Sequence, residues 1–457
     1  MTRPAAIAVL DVGKSNAKLA LLDRASRTVR SVRTMRNIVR QGPPYPHFDT
    51  EAIWNWLLRG LAEAEADAAI EIVVVTTHGA AIVLLGEEGL ALPVLDYEYP
   101  GPDEVAEDYR RLRGDFTETY SPDLPGGLNA GRQLHWLARS FPDAFARATT
   151  ILPYPQYWVW RLTGRRVAEP TAFGAHSDLW NPAAGSPSTL AMREGWAARF
   201  PPIRAPWNDA GPVRPELAAA GLSPSCRVVV GIHDSNASLL PHILARPLPF
   251  AVISTGTWMI TFAPGGSLDR LDPARGGLAY VDALGRPVPS TMSMTGREFE
   301  LLTEGRATAP TQAEIGRVIE GRIMALPGFT PGAGPYGQRT GRWSHDPAGL
   351  TPGERTAAAS LYAALVADTS LRLAGAEGPV LIEGPLAGSA LFLSALAALI
   401  PRPVIGRPDA TGTTEGAALL ADGPGRAARP VTDPPPATAL AGGFATYAEA
   451  WRQNADG

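Results

Sequence analysis

Two eight-residue stretches, AVLDVGKS at residues 8 to 15 and AVISTGTW at 251 to 258, align without gaps. Each runs three apolar residues into a polar turn with glycine at the sixth position, followed by Lys14 in one copy and Thr257 in the other. Such a glycine turn can aim backbone N–H groups at an anion. Lys14 adds an ammonium, a point charge suited to phosphate. Asp11 stands just before Gly13, Ser15 and Asn16 follow it, and Thr255 and Thr257 flank Gly256. Each residue also has a plainer use: Asp11 could cap its turn, Lys14 could be solvated, and threonine is at home in any strand. A second carboxylate, Asp234, lies between an apolar run, RVVVGIH, and a helical one, SNASLLPHIL. There it could cap the helix or accept a proton. His78 and His176 are polar candidates for a ligand, and a lone histidine is as often a satisfied core residue.

These residues need elements to hold them. Residues 5 to 22 read as strand, polar turn and strand, a hairpin and not a strand feeding a helix. GKSNAK therefore departs from a P-loop, which needs an upstream glycine and a following helix. IEIVVVTT (70 to 77) reads as a buried strand, and a helix is expected from about Asn129 to Pro142. PLPFAVISTGTWMITFAPGG repeats the hairpin pattern between Pro and Gly borders. TAAASLYAALVADTSLRLAG follows as a long amphipathic helix, then PVLIEG as a strand and SALFLSALAALI as a helix. Beyond Ala421 the chain turns Pro/Gly-rich before a short helix around Tyr447 and Trp451, a tail expected to pack on the surface. Both copies of the hairpin thus open a large α/β half.

The 457 residues suggest two large domains. With 45% hydrophobic and 19% charged residues, the chain has the material for packed cores. A net charge of −4 and no long basic run argue against nucleic acid. The single Cys226 excludes an internal disulfide and fits a reducing compartment. Asp11, Lys14 and Lys18 interrupt the N-terminal apolar run too early for a signal peptide. A soluble cytoplasmic protein with no membrane partner is expected.

A duplicated phosphate-binding hairpin, one per domain, is the layout of the actin-like ATPase superfamily. Within it the sequence resembles the FGGY family of carbohydrate kinases from Ile7 to about Ala421. DVGKSNAK resembles the first phosphate motif, TTHGAAIVLL the sugar-side segment with His-Gly, and YWVWRLTG (157 to 164) the strand of aromatics ending in Leu-Thr-Gly. TAFGAHSDLWNP is similar to the segment after it, GIHDSNAS to the Gly-x-x-Asp signature that carries the catalytic base, and STGTW to the second phosphate motif. IEGPLAGSALF and GTTEGAALLA resemble the adenosine-binding segment and the helix after it. The chain departs from many members in having Lys14 where they have Thr or Ser, and Pro385 where they have glycine.

The resemblance implies an α/β fold of two actin-like (ribonuclease H-like) domains, 1–245 and 246–457, with a cleft between them. It implies ATP and Mg²⁺ as cofactors and a small sugar as substrate, most naturally a ketose of the fuculose, rhamnulose, xylulose or ribulose kind. Asp234 is then the catalytic base, and Asp11 with Asp234 the metal site. Asp11, Gly13, Lys14, Ser15, Asn16, Thr255, Gly256, Thr257, Gly384 and Ser389 are assigned to ATP. His78, Asp96, His176 and Asp234 are assigned to the sugar. A homodimer is left open. An actin-like ATPase that uses nucleotide as a conformational switch is the alternative.

Overall fold

A computed structural model of the chain describes residues 3–219, 221–332, 334–408, 412–425, 433–440 and 442–456. Parts of the Pro/Gly-rich stretch, 426–432 and 441, lie outside the described residues. Two compact units emerge: Met1–Ala245 with Tyr280–Pro287 and Thr411–Pro430, and Arg246–Ala279 with Val288–Ala410 and Val431–Gly457. The two segments that rejoin the first unit correct the expectation of an unbroken second domain over 246–457. The cause is packing. Helix Gly412–Ala418 lies along helix Asp234–Ala245, with Gly416 so close that a Cβ there would sit 1.8 Å from the Ala237 carbonyl oxygen. Tyr280 stacks on His233, ring centroids 5.9 Å apart.

In the first unit, Ala5–Val12 and Asn16–Asp23 form the expected hairpin, which pairs Asp11 with Lys18. The strand Ala5–Val12 is buried on both faces, and its near-continuous apolar run suits the centre of a sheet. Val29–Arg36 adds to the hairpin antiparallel, while Ala69–Thr77 and then Arg227–Val229 add in parallel on the other side. The second unit repeats this plan. Ala251–Thr255 pairs antiparallel with Met259–Phe262, which pairs antiparallel with Pro287–Ser293. Val380–Glu383 and Val404–Arg407 continue the sheet in parallel from the other side of Ala251–Thr255. The echoing stretches are therefore equivalent central hairpins.

Three helical segments depart from the sequence reading. YWVWRLTG lies in a helix, Tyr154–Thr163, closed by Gly164 at φ +78°. The buried Tyr154, Tyr157 and Trp158 follow helical i, i+3, i+4 spacing, which overrides the strand preference of aromatics. Pro352–Leu373 is buried on nearly every side, not along one stripe, because it packs against helices Thr295–Thr303, Gln312–Glu320 and Ala390–Leu399. The last helix, Phe444–Asp456, is no surface appendage: Trp451 is fully buried and donates its indole N–H to the Ala325 carbonyl at 2.7 Å. Among the described residues no helix is long and apolar enough to cross a membrane.

Candidate active site

The first hairpin turn is closed by the Gly13 N–H donating to the Asn16 carbonyl at 2.9 Å, and Asn37 braces it through the Gly13 and Ser15 carbonyls, both at 2.9 Å. Gly13 thus spends its own N–H inside the turn. The N–H groups of Lys14 and Ser15 have no partner among the described residues and remain for an anion. Ser15 and Asn16 are exposed. Asp11, 8% exposed, lies at the end of its strand with Lys18 at 3.9 Å. Burial first, then the nearby Asp234 charge, pushes its carboxyl up to about 6, with Lys18 opposing.

Asp234 opens its helix directly after strand Ile232–His233. Its Oδ1 accepts from the Ser235 N–H at 2.6 Å and the Ser235 hydroxyl at 3.3 Å, and lies 3.1 Å from His233 Nε2. His233 Nδ1 sits 3.2 Å from the Asn236 amide nitrogen. Burial holds His233 down at about 4, so the ring is neutral. The Asn236 amide nitrogen only donates, hence His233 Nδ1 accepts from it and Nε2 carries the proton. Both Ser235 bonds fall on Oδ1, which leaves Oδ2 free among the described residues. Burial also raises the Asp234 carboxyl to about 6. His78, His176 and His233 all stay near 4, so Asp234 is a stronger base than any of them.

Around this carboxylate stand the expected His78 and His176. His78 donates from Nδ1 to the Gly79 carbonyl at 2.7 Å, and its buried Nε2 has no partner. His176 donates from Nδ1 to the Leu128 carbonyl at 2.8 Å. A Cβ at Gly79 would lie 2.8 Å from His233 Nε2 and 3.5 Å from His176 Nε2. Only glycine lets the two rings approach, which gives the His-Gly pair its physical meaning. Asp96 is buried and pairs with Lys14. The Lys14 ammonium, expected on phosphate, lies on this sugar-side group instead.

The second unit holds a cavity of about 830 Å³, lined by Gly256, Thr257, Arg297, Pro385, Ser389 and Leu440 among others. The Gly256 N–H closes its turn onto the Trp258 carbonyl at 3.0 Å. Thr257 is exposed, and its N–H and hydroxyl are free among the described residues. Thr255 also lines the cavity, and its buried hydroxyl donates to the Glu383 carbonyl at 2.5 Å and accepts from the Leu386 N–H at 3.1 Å, so it ties two segments together. Gly384 does not line the cavity; a Cβ there would lie 1.9 Å from the Thr255 carbonyl oxygen, so the glycine serves that packing. Ser389 lines the cavity and caps helix Ala390–Leu399 by accepting from the Phe392 N–H at 3.3 Å. His233, Asn236, Asn37 and Arg297 were missed by sequence reasoning. The His233 and Asn236 pair was visible as an i, i+3 spacing across the start of a helix.

Residues 6–241 match the profile described as the FGGY family of carbohydrate kinases, N-terminal domain, and residues 247–430 match carbohydrate kinase FGGY, C-terminal domain. A carbohydrate kinase from Novosphingobium aromaticivorans is 38% identical with TM-score 0.90, the alignment covering 100% of this chain and 99% of that one. A xylulose kinase from Rhodospirillum rubrum (20% identity, TM-score 0.79, 99% and 98% covered) is similar in fold. So is a gluconate kinase from Lactobacillus acidophilus (14%, 0.81, 99% and 97%). No curated protein sequence matches the chain.

Proposed function

The chain belongs to the FGGY family of carbohydrate kinases, phosphotransferases with an alcohol acceptor, and from that premise we propose that it phosphorylates a hydroxyl of a small ketose with Asp234 as general base. The observation that carries the reading is the Asp234 carboxylate itself. One oxygen is fixed by the Ser235 N–H and hydroxyl, the other is free, and burial tunes the group to about 6. A base poised just below neutrality is ionised at working pH yet strong enough to take a hydroxyl proton.

The sugar is held in the first unit, where His176 Nε2 accepts from one of its hydroxyls and His78, its Nε2 buried, stands behind the site. ATP is held in the second unit, its adenosine in the cavity beside Ser389 and its phosphates toward Gly256 and Thr257. The sugar hydroxyl gives its proton to Asp234 Oδ2 as its own oxygen bonds to the γ-phosphorus and the bond from that phosphorus to the ADP oxygen breaks. Two repelling carboxylates, Asp11 and Asp234, both raised to about 6, fit a divalent cation that would relieve them. Two carboxylates suit Mg²⁺, an ion that keeps several waters and is bound through one or two carboxylates and substrate phosphates. When bound, it neutralises charge on the transferring phosphates. A nucleotide-rich, reducing cytoplasm suits both ATP and the lone buried thiol of Cys226.

The test is ADP release from ATP and Mg²⁺ across a panel of ketoses, polyols and sugar acids. One ketose should drive turnover, and Asp234→Asn should lower kcat by roughly 10²–10⁴-fold while leaving binding nearly intact. Sugar-independent ATP hydrolysis would instead mark a nucleotide switch, and an Asn variant with normal turnover would reduce Asp234 to a helix cap.

A further inference from the structure

Lys14 sits in a phosphate-type turn, yet its side chain is committed elsewhere. The ammonium is hydrogen-bonded to Asp96 Oδ1 and lies 3.1 Å from Glu98 Oε2. It also stands over two ring faces, 4.9 Å from the Tyr97 centroid and 5.3 Å from that of Phe48. Those rings flank His78, at 5.2 and 5.0 Å. Two carboxylates and two ring faces hold one cation from several directions, and a swing to phosphate would break all four contacts. An ammonium has three N–H donors; one is hydrogen-bonded to Asp96, and Glu98 meets the charge as an ion pair. Asp96 Oδ1 also accepts from the Glu98 N–H at 3.2 Å, while its Oδ2 has no partner among the described residues. One donor on Lys14 and one acceptor on Asp96 are therefore left side by side.

We propose that Lys14 is a sugar-binding residue which, with Asp96, reads two neighbouring hydroxyls of an uncharged sugar: one hydroxyl accepts from the ammonium and the next donates to the carboxylate. The inference rests on the kinase reading and narrows its substrate. Lys14 is already balanced by Asp96 and Glu98, and Lys18 faces Asp11 at 3.9 Å, so a sugar acid would bring its carboxylate to a place where four carboxylates, Asp96, Glu98, Asp11 and Asp234, already outnumber the two lysines. A neutral diol meets no such repulsion.

Steady-state kinetics on wild type, Lys14→Met and Asp96→Asn, using the best sugar of the panel, tests this. Methionine keeps an apolar stem against the Phe48 and Tyr97 rings. The expected result is a KM for the sugar raised about 10- to 100-fold in both variants, the usual loss for a hydrogen bond to a charged group. The KM for ATP should stay within about threefold in both. Deoxy analogues of that sugar sharpen the test: one missing hydroxyl should weaken wild type but make no further difference to Lys14→Met. A Lys14→Met variant whose KM rises for ATP and not for sugar overturns the assignment while the kinase reading stands. A sugar acid as the best substrate overturns the neutral-diol claim in the same way. Wild type that no sugar stimulates overturns the kinase reading and this inference together.

Discussion

At the scale of single residues, the chemistry rests on which groups burial leaves able to hold a proton near neutral pH. Three histidines near 4 are neutral throughout the working range, and Asp234 at about 6 is not fully ionised until above it. The acid limb of kcat/KM should therefore fall near pH 6, rising as Asp234 loses its proton, with no histidine contribution above about pH 5. Ser235→Ala removes the hydroxyl that donates to Asp234 Oδ1 at 3.3 Å and favours the charged carboxylate, so Asp234 should titrate higher. The limb should move up by about half a unit in a pH series run beside wild type. An unmoved limb would mean that the Ser235 hydroxyl does not tune the base. The sequence showed Asp11 and Asp234 because each carboxylate ends an apolar run, where a short acid is conspicuous. It hid His233, because that role depends on a tautomer fixed by Asn236 one helical turn away. Lys14 misled, since its turn suits phosphate and only the fold brings Asp96 and two aromatic faces to its end.

At the scale of elements, hairpins were legible and aromatic-rich helices were not. Both central hairpins pair near-continuous apolar runs across a glycine turn, local signals that a sequence carries openly. YWVWRLTG is not legible in that way, because β-favouring aromatics fill a helix whose inner face is set by what it packs against. Its true marker was Gly164, the left-handed residue that ends helix Tyr154–Thr163 at φ +78°. An added Cβ there meets nothing closer than 3.5 Å, so a substitution suffers from backbone conformation and not from crowding. Gly164→Ala should cost about 1–2 kcal/mol in urea unfolding, with kcat unchanged because the turn lies outside the site. A neutral effect would mean that the helix end re-forms without the left-handed residue. The long helix Pro352–Leu373 misread as amphipathic for a related reason: periodicity reports one buried face, and this helix is covered by three neighbours.

At the scale of the whole molecule, activity and stability should pull against each other through the same two carboxylates. An unfolded aspartate titrates near 3.9, whereas Asp11 and Asp234 are held up at about 6 in the folded chain. Between about pH 4 and pH 6 the folded state therefore keeps protons that the unfolded state has released. Fewer protons are bound in the unfolded state, so stability falls as pH rises through that window and stays lower above it. Asp11→Asn and Asp234→Asn remove the buried charge while keeping size and hydrogen-bonding oxygen. Each should raise the melting temperature at pH 7.5 by about 2–4 °C, the shift expected for a gain of about 1 kcal/mol in a unit of this size. The advantage should shrink toward pH 4, where the wild-type groups are protonated as well. Mg²⁺ should also narrow it, because an ion that binds only the folded carboxylates stabilises wild type and not the variants. Calorimetry at both pH values, with and without Mg²⁺, separates these effects. Variants that melt below wild type at pH 7.5 would show that the carboxylates are structural anchors, and that the charge repulsion assigned to this site does not exist.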